Sequence, residues 1–218
     1  MATFSIVDYL TDKGIPFTIK YPAPNLPTQG NSVTWSSLNA NSSISDIIGA
    51  VKLLDNNSVY TRGFVSSSSD GTSFTRQFVV GDSQDNILQA GSGKDVLIGR
   101  GGHDTLTGGT GADSFVFLSS NDGIDTITDF DVLEDKIVVS ASGFVGLTPP
   151  TLAQEILLTS GQLSLGSSAT TSDVRFIYNS TNGILAYDAD GIGLQAQVAI
   201  ARLSSNLNFT HQNIQVVA

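Results

Sequence analysis

Hydrophobic positions in the first 79 residues follow helix and strand periods in turn. The stretch SIVDYLTDKGIP predicts a short helix that begins at the N-cap Ser5 and ends near Gly14. FTIKY and SVTWSSL are strand-like, and SVYTRGFV and SFTRQFVV predict two strands around a Ser/Gly loop. ISDIIGAVKLL predicts an amphipathic helix from four apolar residues at i, i+3, i+4 and i+7: Ile44, Ile47, Ile48 and Val51. We therefore expect a small α+β module in residues 1–79.

The pattern changes to a short repeat from Gly81 onward. Asp95, Asp104 and Asp113 are nine residues apart, and Asp85 precedes Asp95 by ten. Each aspartate lies two positions before a large apolar residue, and these are Ile87, Leu97, Leu106 and Phe115. Repetition at a fixed period is a stronger indication of architecture than local propensity.

The remaining third of the chain returns to ordinary elements. TLAQEILL predicts a helix in which Thr151 and Gln154 form a capping box. VRFIYNS, GILAYDA and QVAIARL predict strands, and the turn NSTNG between the first two indicates a hairpin. The prediction for the whole chain is therefore a mainly β protein.

Charge is concentrated in the repeat. The chain carries a net charge of −10, and residues 81–135 account for −9 of it, with ten Asp and one Glu against Lys94 and Arg100. This concentration disfavours nucleic acids and anionic membranes as partners and favours a cation. The chain has no cysteine, which excludes disulfides and thiolate chemistry. No apolar run is long enough for a membrane span, and MATFSIVDYL lacks the basic region of a cleaved secretory signal.

The repeat has a direct physical interpretation. Each unit has six turn residues and then a three-residue strand whose middle side chain points inward, so two units form one coil of a right-handed parallel roll. Turns 80–85 and 99–104 should stack on one edge, and turns 90–95 and 108–113 on the other. Glycines allow the tight turns, while stacked carboxylates repel one another unless a cation lies between them. Hard oxygen ligands of this kind suit Ca²⁺ better than Mg²⁺.

These residues resemble a known family. GSGKDVLIGRGGHDTLTGGTGADSFVF resembles the repeats-in-toxin (RTX), or hemolysin-type, nonapeptide G-G-x-G-x-D-x-U-x. DGIDTITDFDVLEDKIVVSA and RFIYNSTNGILAYDADGIGLQAQVAIARL resemble the segments that follow the repeats in serralysin-type secreted proteins. The resemblance covers residues 80–218, and residues 1–79 match no family. It implies a short parallel β-roll with a C-terminal β region, and Ca²⁺ as the bound ion.

In this family each ion binds to backbone carbonyls and an aspartate from two turns on the same edge. The resemblance implies a first site of Gly81, Ser83, Asp85, Gly99, Gly101 and Asp104. It implies a second site of Gly91, Gly93, Asp95, Gly108, Thr110 and Asp113. It implies a third site of Gly109, Gly111, Asp113, Asp122 and Asp125.

The first site matches the family pattern least well and the second matches it best. Val80 replaces the first glycine of the first turn, and Ser83 replaces the glycine at its fourth position. One extra residue separates the first two turns, and Arg100 stands where the third turn should have a glycine.

Other acidic residues have simpler interpretations. Asp129 and Asp131 are expected to accept hydrogen bonds at a turn or strand end rather than to bind an ion. The sequence DADG, which contains Asp188 and Asp190, resembles the start of an EF-hand loop but lacks the acidic residue at the twelfth position, so a hairpin turn is expected. His103 occupies a variable turn position.

The resemblance implies a calcium-binding protein that is exported by a type I system, folds on binding Ca²⁺ outside the cell and has a binding or structural role there. The partners are then calcium ions, the export machinery and an unidentified extracellular partner. The alternative is a small secreted enzyme with its catalytic residues in 1–79, although the chain has neither HExxH nor GxSxG. An intracellular calcium buffer is a third hypothesis. The sequence favours a role that is not enzymatic.

Overall fold

The computed structural model describes residues 61–67, 74–148 and 156–218. This part of the chain forms fourteen strands, which in chain order are β1 (Thr61–Ser67), β2 (Phe74–Val80), β3 (Ile87–Ser92), β4 (Val96–Ile98), β5 (Thr105–Thr110), β6 (Ser114–Phe117), β7 (Asp125–Ile127), β8 (Lys136–Ser140), β9 (Ile156–Leu157), β10 (Leu163–Leu165), β11 (Phe176–Asn179), β12 (Ile184–Tyr187), β13 (Val198–Arg202) and β14 (Ile214–Val217). Three short 3-10 turns cover Ala141–Gly143, Ser160–Gln162 and His211–Asn213. No helix in these described ranges is long and apolar enough to cross a membrane. The predicted helices at 5–16 and 44–54 and the strands FTIKY and SVTWSSL lie outside them.

The strands form two seven-stranded sheets. Sheet A has the order β1-β2-β4-β6-β8-β14-β9, and sheet B has the order β10-β11-β12-β13-β7-β5-β3. From β2 to β8 successive strands alternate between the two sheets, so the chain winds as a parallel roll. The predicted parallel β-roll with a C-terminal β region is therefore confirmed.

The pairing register gives the length of one coil. Leu88 lies opposite Leu106 in the β3/β5 pair, and Leu97 lies opposite Phe115 in the β4/β6 pair, so the coil repeats after 18 residues. The later coils are longer, because Ser114 pairs with Lys136 and Thr105 pairs with Thr126. Two nonapeptides thus form one coil, as the sequence predicts.

The core lies between the two sheets. Within the roll it is a single row of inward side chains from each sheet, all at most 2% exposed: Val79, Leu97, Phe115 and Ile137 from sheet A, and Leu88, Leu106 and Ile127 from sheet B. Beyond β8 the core widens into an aromatic cluster in which Phe144, Phe176 and Tyr187 pack edge to face or tilted. The C-terminal region therefore buries more apolar surface than the narrow roll does.

The predicted strands around the Ser/Gly loop are confirmed as the antiparallel pair β1/β2. β2 also pairs in parallel with β4, so sheet A continues across the domain boundary predicted between residues 79 and 80. β1 and β2 therefore belong to the same sheet as the roll strands, and the domain boundary predicted from the sequence stays a prediction.

In the C-terminal region the three predicted strands are confirmed as β11, β12 and β13, and β11/β12 is the predicted hairpin. The predicted helix TLAQEILL is wrong at its described end, because Ile156–Leu157 is a strand. It pairs antiparallel with β14, where Ile156 lies opposite Val216. Tertiary pairing with the edge of sheet A has overridden the local helix signals.

Candidate metal centre

The turns of the roll stack on two opposite edges. The first edge comprises the turns that lead from sheet A to sheet B, residues 81–86, 99–104 and 118–124. The second edge comprises those that lead from sheet B to sheet A, residues 93–95, 111–113 and 128–135. Hydrogen bonds join neighbouring turns, for example from Gly102 N–H to the Asp122 carbonyl at 2.9 Å. The predicted stacking of alternate turns is confirmed.

Aspartates form a ladder along the second edge. The Oδ1 atom of Asp95 accepts the backbone N–H of Gln77 at 2.6 Å, and that of Asp113 accepts the N–H of Asp95 at 2.8 Å. Asp135 continues the series by accepting the N–H of Asp113 at 2.9 Å. Each carboxylate thus holds the coil before it, and the second oxygens of Asp95 and Asp135 accept the backbone N–H groups of Gly91 at 3.2 Å and Asp131 at 2.8 Å.

A shorter ladder runs along the first edge. Asp104 accepts the backbone N–H of Asn86 at 2.8 Å, and Asp125 accepts the N–H of Asp104 at 3.0 Å. The Oδ2 atom of Asp104 is buried and has no hydrogen-bond partner. A buried carboxylate oxygen without a donor is costly unless a proton or a cation compensates it.

The first turn differs from its prediction. Asn86, one coil before Asp104, occupies the ladder position, so the nine-residue spacing holds and no residue is inserted. The inward apolar residue is Leu88, which is fully buried, and the prediction of Ile87 was wrong because Ile87 is 75% exposed. Asp85 is exposed and accepts the N–H of His103 at 2.7 Å. Its role as a ligand stays a prediction.

Burial shifts the ladder carboxylates toward their protonated forms. Desolvation, together with the charge of neighbouring carboxylates, raises the pKa of Asp104 to about 6 and the pKa values of Asp113 and Asp125 to about 7. Desolvation also raises the pKa values of Asp122 and Asp135. The protein alone therefore does not compensate the negative charge of these groups.

Two glycines explain how closely the turns approach on the second edge. Gly109 has a φ of +106° and Gly111 a φ of +113°. A Cβ atom on either would overlap a carbonyl oxygen of the coil before, at Gly91 or Gly93 respectively. Backbone oxygens thus point into the space between stacked turns, where a side chain would exclude any ion.

The structure brings the first two predicted ligand sets onto their expected edges. For the second set, Gly93 N–H donates to the Thr110 carbonyl at 2.9 Å, and a Cβ on Gly108 would overlap Asp113 Oδ2. For the first set, a Cβ on Gly81 would lie 2.5 Å from the Gly99 carbonyl oxygen, and one on Gly101 would lie 3.6 Å from Ser83 Cα.

The third predicted set is not brought together. Gly109, Gly111 and Asp113 belong to the second edge, whereas Asp122 and Asp125 belong to the first. The grouping fails because a turn stacks on the turn one whole coil away, and consecutive turns lie on opposite edges. Asp122 and Asp125 follow Asp104 instead, and a Cβ on Gly99 would overlap Asp104 Oδ2 and lie 2.9 Å from Asp125 Oδ2.

The two residues that were expected to be local acceptors and not ligands both accept backbone hydrogen bonds, and the expectation that they bind no ion stays a prediction. Asp131 Oδ1 accepts the N–H of Leu133 locally at 2.8 Å, while Asp129 accepts the N–H groups of Gly108 and Gly109 from the coil before, at 3.0 and 2.7 Å. The DADG sequence lies in the loop that joins the antiparallel strands β12 and β13, as predicted.

Two ladder residues were missed in the sequence. Asn86 could have been found, because it stands nine residues before Asp95 and two before Leu88. Asp135 could not, because it follows Asp113 by 22 residues and a strict 18-residue coil points to Asp131 instead.

The donors present fit Ca²⁺. Among the described residues, no three acidic or histidine side chains converge on one point, so carboxylates alone do not form a site. A cation between stacked turns would therefore combine carboxylate oxygens with backbone carbonyls, which is an oxygen-only set that suits Ca²⁺. Asp104 Oδ2 has no hydrogen-bond partner and could serve as a ligand atom for such an ion.

Fold and site together define a parallel β-roll with stacked acidic turns, and a match to a family model agrees with it. Residues 80–115 match the family described as RTX calcium-binding nonapeptide repeat (4 copies), so the chain contains calcium-binding RTX repeats. The solution structure of the AlgE6R3 subunit of the Azotobacter vinelandii mannuronan C5-epimerase is 28% identical over 64% of this chain and 72% of the other, with a TM-score of 0.37. No curated protein matches the chain.

Proposed function

We propose that this protein is an exported RTX protein whose roll folds when Ca²⁺ enters the stacked turns, and that it has a binding or structural role outside the cell. The observation that carries the proposal is the pair of buried aspartate ladders. Their carboxylates are desolvated, lie near one another and include the unpartnered Asp104 Oδ2. A divalent cation is the simplest group that compensates all three features.

The first two sites predicted from the sequence remain the proposed calcium ligands. On the first edge we add Asp125 to Asp104 as a carboxylate pair that faces Gly99. On the second edge we add Asp135, which raises the pKa of Asp113 by charge repulsion and so lies close to it. Bound calcium would supply positive charge between the turns, while the ladder hydrogen bonds keep the carboxylates oriented.

The energetics support a switch at extracellular calcium. Extracellular sites have Kd values of about 10⁻⁴–10⁻³ M, far above the calcium concentration inside cells. An ion that binds only the folded state stabilises it by about 1.4 kcal/mol at ten times its Kd. The two proposed sites together then contribute about 3 kcal/mol, more than half of the stability of a small domain, about 5 kcal/mol. The net charge of −9 in residues 81–135 opposes folding until the ions bind.

Export by a type I system follows the same logic, since a chain that stays unfolded at low calcium suits passage through a narrow channel. The chain would then fold at the higher calcium concentration outside the cell, so the folded protein is extracellular. The localisation proposed is secreted, and the extracellular partner is of unknown chemistry.

A calcium titration of the full chain tests the proposal. Circular dichroism in EGTA should show loss of strand structure, and strand signal should return with a midpoint between about 10⁻⁴ and 10⁻³ M Ca²⁺. Mg²⁺ at equal concentration is the control and should give little recovery. A strand signal that is the same in EGTA and in calcium would refute the switch, and a submicromolar midpoint would favour an intracellular buffer.

A further inference from the structure

The outward faces of the two sheets differ sharply. On sheet A the outward side chains of five neighbouring strands are almost all apolar and at most 4% exposed: Phe78, Val80, Val96, Ile98, Val116, Val138 and Val217. On the roll strands β3, β5 and β7 of sheet B the equivalent outward positions are polar or exposed, as Ile87, Gln89, Thr126 and Thr128 show. The roll therefore has one outer face in water and one that is covered.

The direction of these side chains follows from strand geometry. Successive side chains alternate between the faces of a sheet, and Val79, Leu97 and Phe115 belong to the inner core. Their neighbours on each side, such as Val96 and Ile98, therefore point outward, yet both are fully buried. Ser114 and Lys136 continue the row of Phe78 and Val96 and are only partly buried, which marks the rim of the covered area.

The sequence of the strands agrees. Strands buried on both faces are apolar throughout, whereas half-exposed strands alternate. The strands of sheet A contain FVV, VLI, FVF and IVV, whereas those of sheet B contain ILQ, TLT and TIT. All fourteen described strands belong to one of the two sheets, so no described strand forms a third layer over sheet A.

We infer that residues 44–54 form an amphipathic helix that packs on the outer face of sheet A. Ile44, Ile47, Ile48 and Val51 would form the contact stripe, which an apolar sheet face complements. The described chain begins at Thr61 in β1, the edge strand of this same sheet, so the segment enters the structure beside the surface that needs a cover.

The dimensions fit. A helix of eleven residues is about 16 Å long, and the five strands from β2 to β14 extend over about 19 Å. Residues 55–60 can span up to about 20 Å between the end of the helix and the start of β1. One helix can thus cross most of the apolar surface without leaving the chain strained.

This inference changes the role of the N-terminal region. If residues 44–54 complete the packing of sheet A, they are a structural part of the roll and not of a separate catalytic module. The contact involves the apolar face of sheet A and neither edge of stacked turns, so none of its residues is a proposed calcium ligand. The inference therefore stands or falls separately from the proposed calcium switch.

Disulfide cross-linking of the full chain tests the contact directly, because the protein has no cysteine of its own. The double variant Ile48→Cys/Val116→Cys should form an intramolecular disulfide under mild oxidation in calcium. The matched control Ile48→Cys/Thr126→Cys places the second thiol on the exposed face of sheet B and should not. Equal cross-linking of both pairs, or a disulfide between two chains, would overturn the inference.

Thiol accessibility provides a second measurement that does not require a disulfide. The single variant Val116→Cys should react with a thiol reagent at least about tenfold more slowly than Thr126→Cys, since a covered thiol reacts only after local opening. Adding Ile48→Glu should remove this protection, whereas Leu53→Glu, on the opposite side of the helix, should retain it. Protection that survives Ile48→Glu means that a different segment or partner covers the face, and it overturns the inference.

Discussion

Asp113 Oδ1 accepts the backbone N–H of Asp95 at 2.8 Å. This hydrogen bond joins two consecutive coils, whose equivalent residues are 18 positions apart. The same side chain carries a charge that burial and its neighbours disfavour. One carboxylate thus stabilises the stacking as an acceptor and opposes it as an anion. Substitutions at this position can separate the two effects.

We expect Asp113→Asn and Asp113→Ala to have opposite effects on the calcium-free roll. Asparagine keeps an oxygen for the Asp95 N–H and removes the charge, so it should stabilise the roll in EGTA and weaken calcium binding. Alanine leaves a buried N–H without an acceptor and should destabilise the roll by about 1–3 kcal/mol. Because the wild-type roll should be unfolded in EGTA, the strand signal in EGTA measures the stabilisation by asparagine, urea unfolding in calcium measures the loss with alanine, and a calorimetric titration measures calcium binding. The exposed Asp173→Asn is the control, and equal responses at both positions would contradict this account.

Asn86 is a neutral residue one coil before Asp104 on the first edge, and introducing a carboxylate at its position should have a measurable effect. Asn86 Nδ2 donates to Asp82 Oδ1 at 3.2 Å, and an aspartate there would replace this bond with repulsion. Asn86→Asp should therefore destabilise the roll in EGTA and increase its dependence on calcium. The difference in strand signal between EGTA and about 10 mM calcium (about tenfold the upper end of extracellular Kd values) should grow. Asn121→Asp, on an exposed turn of the same edge, should leave that difference unchanged.

Acidity should act in opposite directions with and without calcium. The pKa values of Asp104, Asp113 and Asp125 rise from 3.8 to about 6 or 7, so the folded state binds more protons than the unfolded state. The calcium-free roll should be most stable below about pH 4 and should lose stability as the pH rises through about 7. Calcium affinity should fall over the same range on acidification. The strand signal in circular dichroism, followed in EGTA from about pH 4 to 8, tests this, and a signal that rises with pH would disprove it.

Gly109 should tolerate no side chain. Its φ of +106° disfavours other residues, and a Cβ would overlap the Gly91 carbonyl oxygen. Gly109→Ala should destabilise the roll by about 1–3 kcal/mol or more. Gly161→Ala is the matched control, because a Cβ there meets nothing within 4 Å. Thermal unfolding in calcium distinguishes the two variants, and equal losses would show that the close approach of coils is unimportant.

Much of the roll could be predicted because a period of nine residues fixes turns, strands and inward positions together. Leu97, Leu106 and Phe115 were placed correctly in the core from spacing alone. The misplacement of Ile87 came from aligning the repeat on Asp85, although the apolar spacing points to Leu88. Apolar positions determined the register more reliably than the acidic ones, since a one-residue slip exchanges the two faces of a strand.

Features that depend on distant pairing could not be predicted. Ile156–Leu157 forms a strand only because β14 lies beside it, and the local sequence favours a helix. The third ligand set failed for a related reason, since it joined residues that are close in sequence but lie on opposite edges. The later coils lengthen irregularly, so the nine-residue period no longer gives the position of Asp135.

The difference between the two outer faces sets the smallest insertion that the roll can accept. Adding or removing 18 residues would keep every solvent-exposed strand in sheet B and every covered strand in sheet A. Each ladder would lengthen or shorten by one residue. A change of nine would place a triplet such as VLI among the threonines of sheet B and expose it to water. The unit by which this protein could lengthen is therefore the pair of repeats and not the single repeat.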